Sequence, residues 1–126
     1  MPGKRRVRKV LVVDDQASIR RVVRAYLETV QKCSVTEASN GLEAIKELLT
    51  GPVDLIITDL IMPGMTGLEL LGYVRRHDRL RHIPVIMLTS QGEEIDRRKA
   101  FTFGVNEYLV KPFAPLSMKP VVEKYL

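Results

Sequence analysis

Short apolar runs alternate along the chain with longer stretches whose apolar residues recur at helical spacing. Val10–Val13, Val53–Ile57, Val85–Leu88 and Tyr108–Val110 have the length and composition of buried strands, and Ser34–Ala38 is a weaker fifth. Between them lie Ile19, Val22, Val23, Tyr26, Leu27 and Val30, then Leu42, Ile45, Leu48 and Leu49, then Leu68, Leu71 and Val74, then Ile95, Ala100 and Phe103. Each set predicts an amphipathic helix. A last helix is predicted to start after Ser117 and to run through Val121, Val122 and Tyr125. Pro120 then falls in its first turn, where proline is tolerated. Asn40 with Glu43, and Thr66 with Glu69, have capping-box spacing. Gly51-Pro52 and Gly104 are placed to close helices. Five strands alternating with five helices make βαβ units. The fold class is therefore α/β: a doubly wound, five-stranded parallel sheet with helices on both faces.

The polar residues at the strand ends then line up. The first run passes straight into Asp14 and Asp15. Adjacent carboxylates disfavour each other's ionised form, so solvent, a helix N-terminus or a cation must offset them. The third strand, DLIITD, ends in Asp59, the fourth, VIMLTS, in Thr89-Ser90, and the fifth, YLVK, in Lys111. In a parallel sheet these ends share one edge, where open α/β sheets bind ligands. If the first and third strands are neighbours, about 4.8 Å apart, three carboxylates converge. No histidine or cysteine joins them, because His77 and His82 fall on the far side of the third helix. An all-oxygen set selects a hard cation, Mg²⁺ before Ca²⁺. Lys111 adds a compact positive charge and Thr89 a hydroxyl. Together they form a cradle for a dianionic phosphoryl group, with one carboxylate free to attack. Taken singly, each has a plainer reading: a solvated turn or N-cap for Asp14-Asp15, a loop carboxylate for Asp59, a strand end for Thr89, a surface position for Lys111. The combination at four strand ends is what carries the chemistry.

Composition narrows the class. A chain of 126 residues, 45% hydrophobic and 28% charged, suits one domain with one core. No apolar run approaches the roughly 20 residues of a membrane span, and the basic N-terminus has no apolar stretch behind it to make a signal peptide. The single cysteine, Cys33, cannot form an intrachain disulfide, which fits a reducing compartment and a cytoplasmic location. The net charge of +5 is local. Lys4, Arg5, Arg6, Arg8 and Lys9 lie in a segment without acids, and the rest of the chain has as many acids as bases. Residues 1–6 read as a basic arm and residues 7–126 as the folded domain. Such an arm is either a solvated starter segment or a non-specific binder of phosphate backbones.

Four stretches, VLVVDDQ, DLIITDLIMPGMTGLELL, PVIMLTS and GVNEYLVKPF, resemble the receiver domain of bacterial two-component response regulators, of the chemotaxis CheY-like kind. The resemblance spans roughly residues 7–126 and implies a flavodoxin-like strand order of 2-1-3-4-5. It implies that Asp59 accepts a phosphoryl group from a sensor histidine kinase or a histidine phosphotransfer protein. Asp15 and Asp59 would be direct Mg²⁺ ligands, Asp14 a ligand through water, and the backbone carbonyl of Ile61 the last protein ligand. Lys111 would pair with phosphoryl oxygens, with its bond to Pro112 in the cis form. Thr89 would move toward the phosphoryl group and Tyr108 would turn inward. That movement would alter the face made by helix four, strand five and helix five, where a downstream protein docks. The protein would be a switch that assists its own phosphorylation and dephosphorylation, not a turnover enzyme, and a monomer or a phosphorylation-dependent dimer.

Three finer expectations follow. Apolar Ile61 and uncharged Gln91, each two residues after Asp59 or Thr89, predict a long-lived phosphoryl group. Phe101 falls opposite the apolar stripe of the fourth helix and is a candidate anchor on the output face. The chain reads as a stand-alone receiver in preference to a piece of a longer regulator. Two other functions compete. An Mg²⁺-dependent phosphohydrolase with an aspartyl nucleophile would show a DxD motif and a cap insertion, which DDQAS and the short loops do not supply. Nucleic-acid binding through the basic arm predicts salt-dependent DNA binding that disappears with residues 1–9. The leading reading has no nucleic acid and no membrane among its partners.

Overall fold

The computed structural model describes residues 6–90, 94–111 and 114–126, and only the backbone of residues 94 and 95. Its elements follow one another as β1 (Lys9–Val13), α1 (Ala17–Thr29), β2 (Ser34–Ala38), α2 (Gly41–Thr50), β3 (Leu55–Thr58), α3 (Gly67–Arg76), β4 (Val85–Thr89), α4 (Glu94–Thr102) and β5 (Glu107–Val110). A 3₁₀ turn (Pro115–Met118) then leads into α5 (Lys119–Glu123). The strands form one parallel sheet in the order β2-β1-β3-β4-β5. Both the predicted strand order and the doubly wound class are observed.

The sheet is buried on two faces, which is why β3 and β4 are uninterrupted buried runs. Alternate residues of each strand serve opposite faces. Leu11, Val13, Ile56 and Met87 pack with Ala44 and Leu48 of α2, Leu71 and Val74 of α3, and Ala100 of α4. Val10, Val12, Leu55, Ile57, Ile86 and Leu88 pack with Val23, Tyr26 and Leu27 of α1 and Val122 of α5. The crossovers therefore put α2–α4 on one side and α1 and α5 on the other.

Several boundaries and faces differ from expectation. Val53 and Asp54 precede β3, because the Asp54 carboxylate accepts hydrogen bonds from the Lys9 N–H at 2.8 Å and from both terminal nitrogens of Arg6. Val22, Val30, Leu42 and Leu49 are exposed. Their helices present narrower stripes to the sheet than the spacing suggested, and in α2 Gly41, Ala44 and Leu48 take the buried positions. Phe103 lies past the end of α4 and is exposed, since the chain turns at Gly104 with φ +98°. Gly51 caps α2 with an extended φ of −175°, not a left-handed one. Thr66 and Glu69 form the reciprocal capping box. Asn40 accepts from the Glu43 N–H, but the Glu43 carboxylate turns to the Ser39 N–H and hydroxyl. Pro120 sits in the first turn of α5. The side chain of Ile95, Gln91 and the Lys111–Pro112 bond lie outside the described residues.

A single side chain ties two loops together at the N-terminal edge of the sheet. The Arg75 guanidinium donates to the carbonyls of Gly104, Arg81 and Ile83 and to Asn106 Oδ1, at 2.7–3.0 Å. Asn106 Oδ1 also accepts from the Val85 N–H at 2.8 Å.

Candidate functional site

Asp14, Asp59 and Lys111 each sit one position beyond their strands, still held by the ladder, and Thr89 is the last residue of β4. The Asp14 N–H donates to the Ala38 carbonyl at 3.1 Å, the Asp59 N–H to the Val13 carbonyl at 2.9 Å, and the Lys111 N–H to the Thr89 carbonyl at 2.6 Å. Because Val13 pairs with Thr58 and Thr89 with Val110, the register brings Asp14 beside Asp59 and Thr89 beside Lys111. Asp14, Asp59 and Thr89 are 2%, 8% and 0% exposed. Asp15 is exposed to solvent. One carboxylate oxygen from each of Asp14, Asp15 and Asp59 lies within 4.8 Å of the others.

The Lys111 ammonium stands 2.9 Å from Asp14 Oδ2 and 3.4 Å from Asp59 Oδ2. The other oxygens are engaged by backbone. Asp14 Oδ1 accepts from the Gln16 N–H at 2.9 Å, at the start of α1, and Asp59 Oδ1 from the Leu60 N–H at 2.7 Å. Arg20, on α1, donates to the Asp14 carbonyl at 2.5 Å and to Glu37 at 2.9 Å. Each of the alternative offsets for the Asp14-Asp15 pair is present: the Lys111 cation at Asp14, the start of α1 at Asp14, and solvent at Asp15.

Burial pushes the Asp59 carboxyl above the usual carboxylate range. Lys111 draws it back, Asp14 pushes it further up, and the net shift is upward. Three carboxylates against one ammonium leave an excess of negative charge in a partly desolvated notch. The donors are all oxygens, which fits Mg²⁺.

Two residues that shape the site escaped the sequence reading. A Cβ on Gly67 would stand 2.1 Å from the Asp59 carbonyl oxygen and 2.9 Å from Leu60 Cα. The first residue of α3 must therefore be glycine for that helix to pass so close behind Asp59. The spacing TGLE signalled a cap but not this approach. Arg20 carried no signal, since one arginine on a polar helix face is unremarked. Ile61 follows Asp59 by two residues and its side chain is 55% exposed. Tyr108 packs in the core with the α2–α4 side of the sheet, so its ring is already inward in this structure. Phe101 is 44% exposed, as predicted, with the Arg97 guanidinium 5.7 Å from its ring centre.

Residues 10–123 match the family model of the response regulator receiver domain. The chain belongs to that family. This receiver is 40% identical over 116 residues to the chemotaxis protein CheY of Pseudomonas aeruginosa, covering 92% of the chain and 94% of that protein. It is 47% identical over 107 residues to the transcriptional regulatory protein ResD of Bacillus subtilis, covering 85% of the chain. It spans only 43% of ResD. The structure of the chemotaxis response regulator CheY4 of Vibrio cholerae superposes with a TM-score of 0.88 at 33% identity, covering 96% of this chain and 100% of that one. Receivers of two-component systems work with a histidine kinase and a downstream target, and usually bind Mg²⁺ at an acidic pocket. In this chain Asp14, Asp15 and Asp59 form a cluster of three carboxylates at the C-terminal edge of the sheet. Among the described residues, no helix of the receiver is long and apolar enough to cross a membrane.

Proposed function

We propose that this receiver is a phosphorylation switch with Asp59 as the acceptor. The observation that supports it most is the Lys111 ammonium set between Asp14 and Asp59 in a buried notch beside Thr89. The Leu60 N–H holds Asp59 Oδ1, and Oδ2, which faces the Lys111 ammonium at 3.4 Å, is the oxygen that attacks. In the reaction, that oxygen bonds to the phosphorus of a phosphohistidine on the kinase or phosphotransfer protein. The P–N bond breaks, its electron pair stays on the imidazole nitrogen, and that nitrogen takes a proton. The product is an acyl phosphate. Lys111 pairs with the phosphoryl oxygens as they arrive, and the Thr89 hydroxyl donates to them. Such a transfer needs positioning and charge neutralisation more than covalent assistance. Asp15 and Asp59 directly, Asp14 through water and the Ile61 carbonyl would hold Mg²⁺, whose chemistry there is to neutralise phosphoryl charge.

Thr89 ends β4 and Tyr108 lies on β5, so movement of Thr89 reaches the face formed by α4, β5 and α5. Since the Tyr108 ring is already buried here, phosphorylation acts as a shift in the population of inward rings. Exposed Phe101 is the anchor offered to the downstream protein.

Intact-mass spectrometry after incubation with acetyl phosphate tests the reading. One Mg²⁺-dependent phosphoryl adduct is expected on the wild type and none on Asp59→Asn. No adduct on a folded wild type overturns it.

A further inference from the structure

The sheet edge opposite the acidic pocket carries the opposite charge. Two clefts open on it, of about 960 and 530 Å³, and Arg6 lines both. Arg8 and Lys32 line the first with Gln31 and Glu123, and Arg79 lines the second with His77 and His82. The Arg6 guanidinium grips Asp54 with bonds of 2.6 and 3.0 Å, which fixes the ridge between the clefts and cancels one acid. Glu123 accepts a 3.4 Å hydrogen bond from Gln31. Arg8, Lys32 and Arg79 are exposed, and none makes an ion pair among the described residues. Lys32 reaches its place with a left-handed φ of 56°, a conformation that a non-glycine residue adopts at a cost.

Arg75 already serves the loop carbonyls at this edge, donating to those of Arg81, Ile83 and Gly104.

We propose that this edge binds the phosphodiester backbone of nucleic acid, without sequence preference. The cations line concave clefts, which a backbone can enter and a flat bilayer would bridge. Guanidinium groups match phosphate oxygens in pairs. Contacts of this kind position a backbone and read no bases. The surface is independent of Asp59, because the two edges are opposite ends of the same strands. The charge separation also turns the acidic pocket away from a bound polyanion, where a kinase can still reach it.

Fluorescence anisotropy of a labelled short DNA duplex with the full chain, over roughly 50 to 200 mM NaCl, tests this. Three phosphate contacts predict a slope of log K against log salt of about −2.7, and each of Arg8→Ala, Lys32→Ala and Arg79→Ala should flatten it by about 0.9. A cooperative thermal melt followed by circular dichroism reports that each variant is folded. Binding that the triple variant leaves unchanged overturns the proposal, because the arm alone would then suffice. Equal binding to polyglutamate or to phosphatidylserine vesicles at the same salt also overturns it, in favour of an acidic protein or a membrane surface.

Discussion

The ammonium of Lys111 meets the carboxylate of Asp14 at 2.9 Å across 97 residues of chain. Lys111 follows β5 and Asp14 follows β1, with β3 and β4 between them, so only a long side chain at the strand ends makes this contact. Both groups are nearly buried. Removing the cation leaves Asp14 unpaired and facing Asp59. Lys111→Met is expected to lower stability by about 1–3 kcal/mol in urea unfolding. Adding Asp14→Asn should recover part of the loss, as a double-mutant cycle would show. Additive losses would mean that the pair is not coupled.

Asp59 titrates above the usual carboxylate range, chiefly through burial. The folded chain thus holds this proton more tightly than the unfolded one. Stability falls as pH rises through the ordinary carboxylate value, about 3.9, toward the folded value, and the full cost is present above that. In chelator at neutral pH, Asp59→Asn should therefore melt higher than the wild type, with the gap closing in acid. A lower melting temperature at neutral pH would contradict this.

Gly67 leaves no room for a side chain behind the Asp59 carbonyl. Gly67→Ala should cost about 1–3 kcal/mol through overpacking against fixed backbone. Because the displaced atoms belong to the acceptor residue, phosphoryl uptake should slow as well. The same substitution at Gly51, where added carbon meets nothing within 4 Å, serves as the control.

Ile61 exposes its side chain beside the acceptor. Replacing it by asparagine removes an apolar screen and adds groups that can hold a water. The acyl phosphate of Ile61→Asn is expected to decay several-fold faster, timed by loss of the mass adduct. An unchanged half-life would remove Ile61 from the control of lifetime.

Phe101 is partly exposed, with Arg97 over its ring. Phe101→Ala should shift stability by no more than about 0.5 kcal/mol while weakening the cognate downstream partner, measured by calorimetry. Undiminished affinity would move the docking anchor elsewhere.

The central strands were the most legible part of the fold, because burial on both faces makes LIIT and VIMLT continuous apolar words. The acidic pocket was legible too, since strand ends of a parallel sheet share an edge whatever the details. Helix faces were less so. Periodicity finds the side of α2 that faces the sheet, but Leu42 and Leu49 lie at the margins of that side and the core has no room for them. Phe103 was misplaced because a positive φ at Gly104 ends the helix before it. A shared edge does not say which carboxylate a lysine reaches, so the Lys111–Asp14 contact needed coordinates. The need for glycine at position 67 arises from a backbone oxygen eight residues earlier, which no local pattern records.

Lys111 comes 52 residues after Asp59 in the chain, and that separation sets an order in time. On a ribosome adding roughly 5–20 residues per second, the three acids are made seconds before the ammonium. During that interval the nascent chain holds the acceptor without the cation that faces it. On the proposed chemistry, the switch cannot be charged until its last strand has joined the sheet. Competence to receive a signal is thus a certificate that synthesis has passed β5.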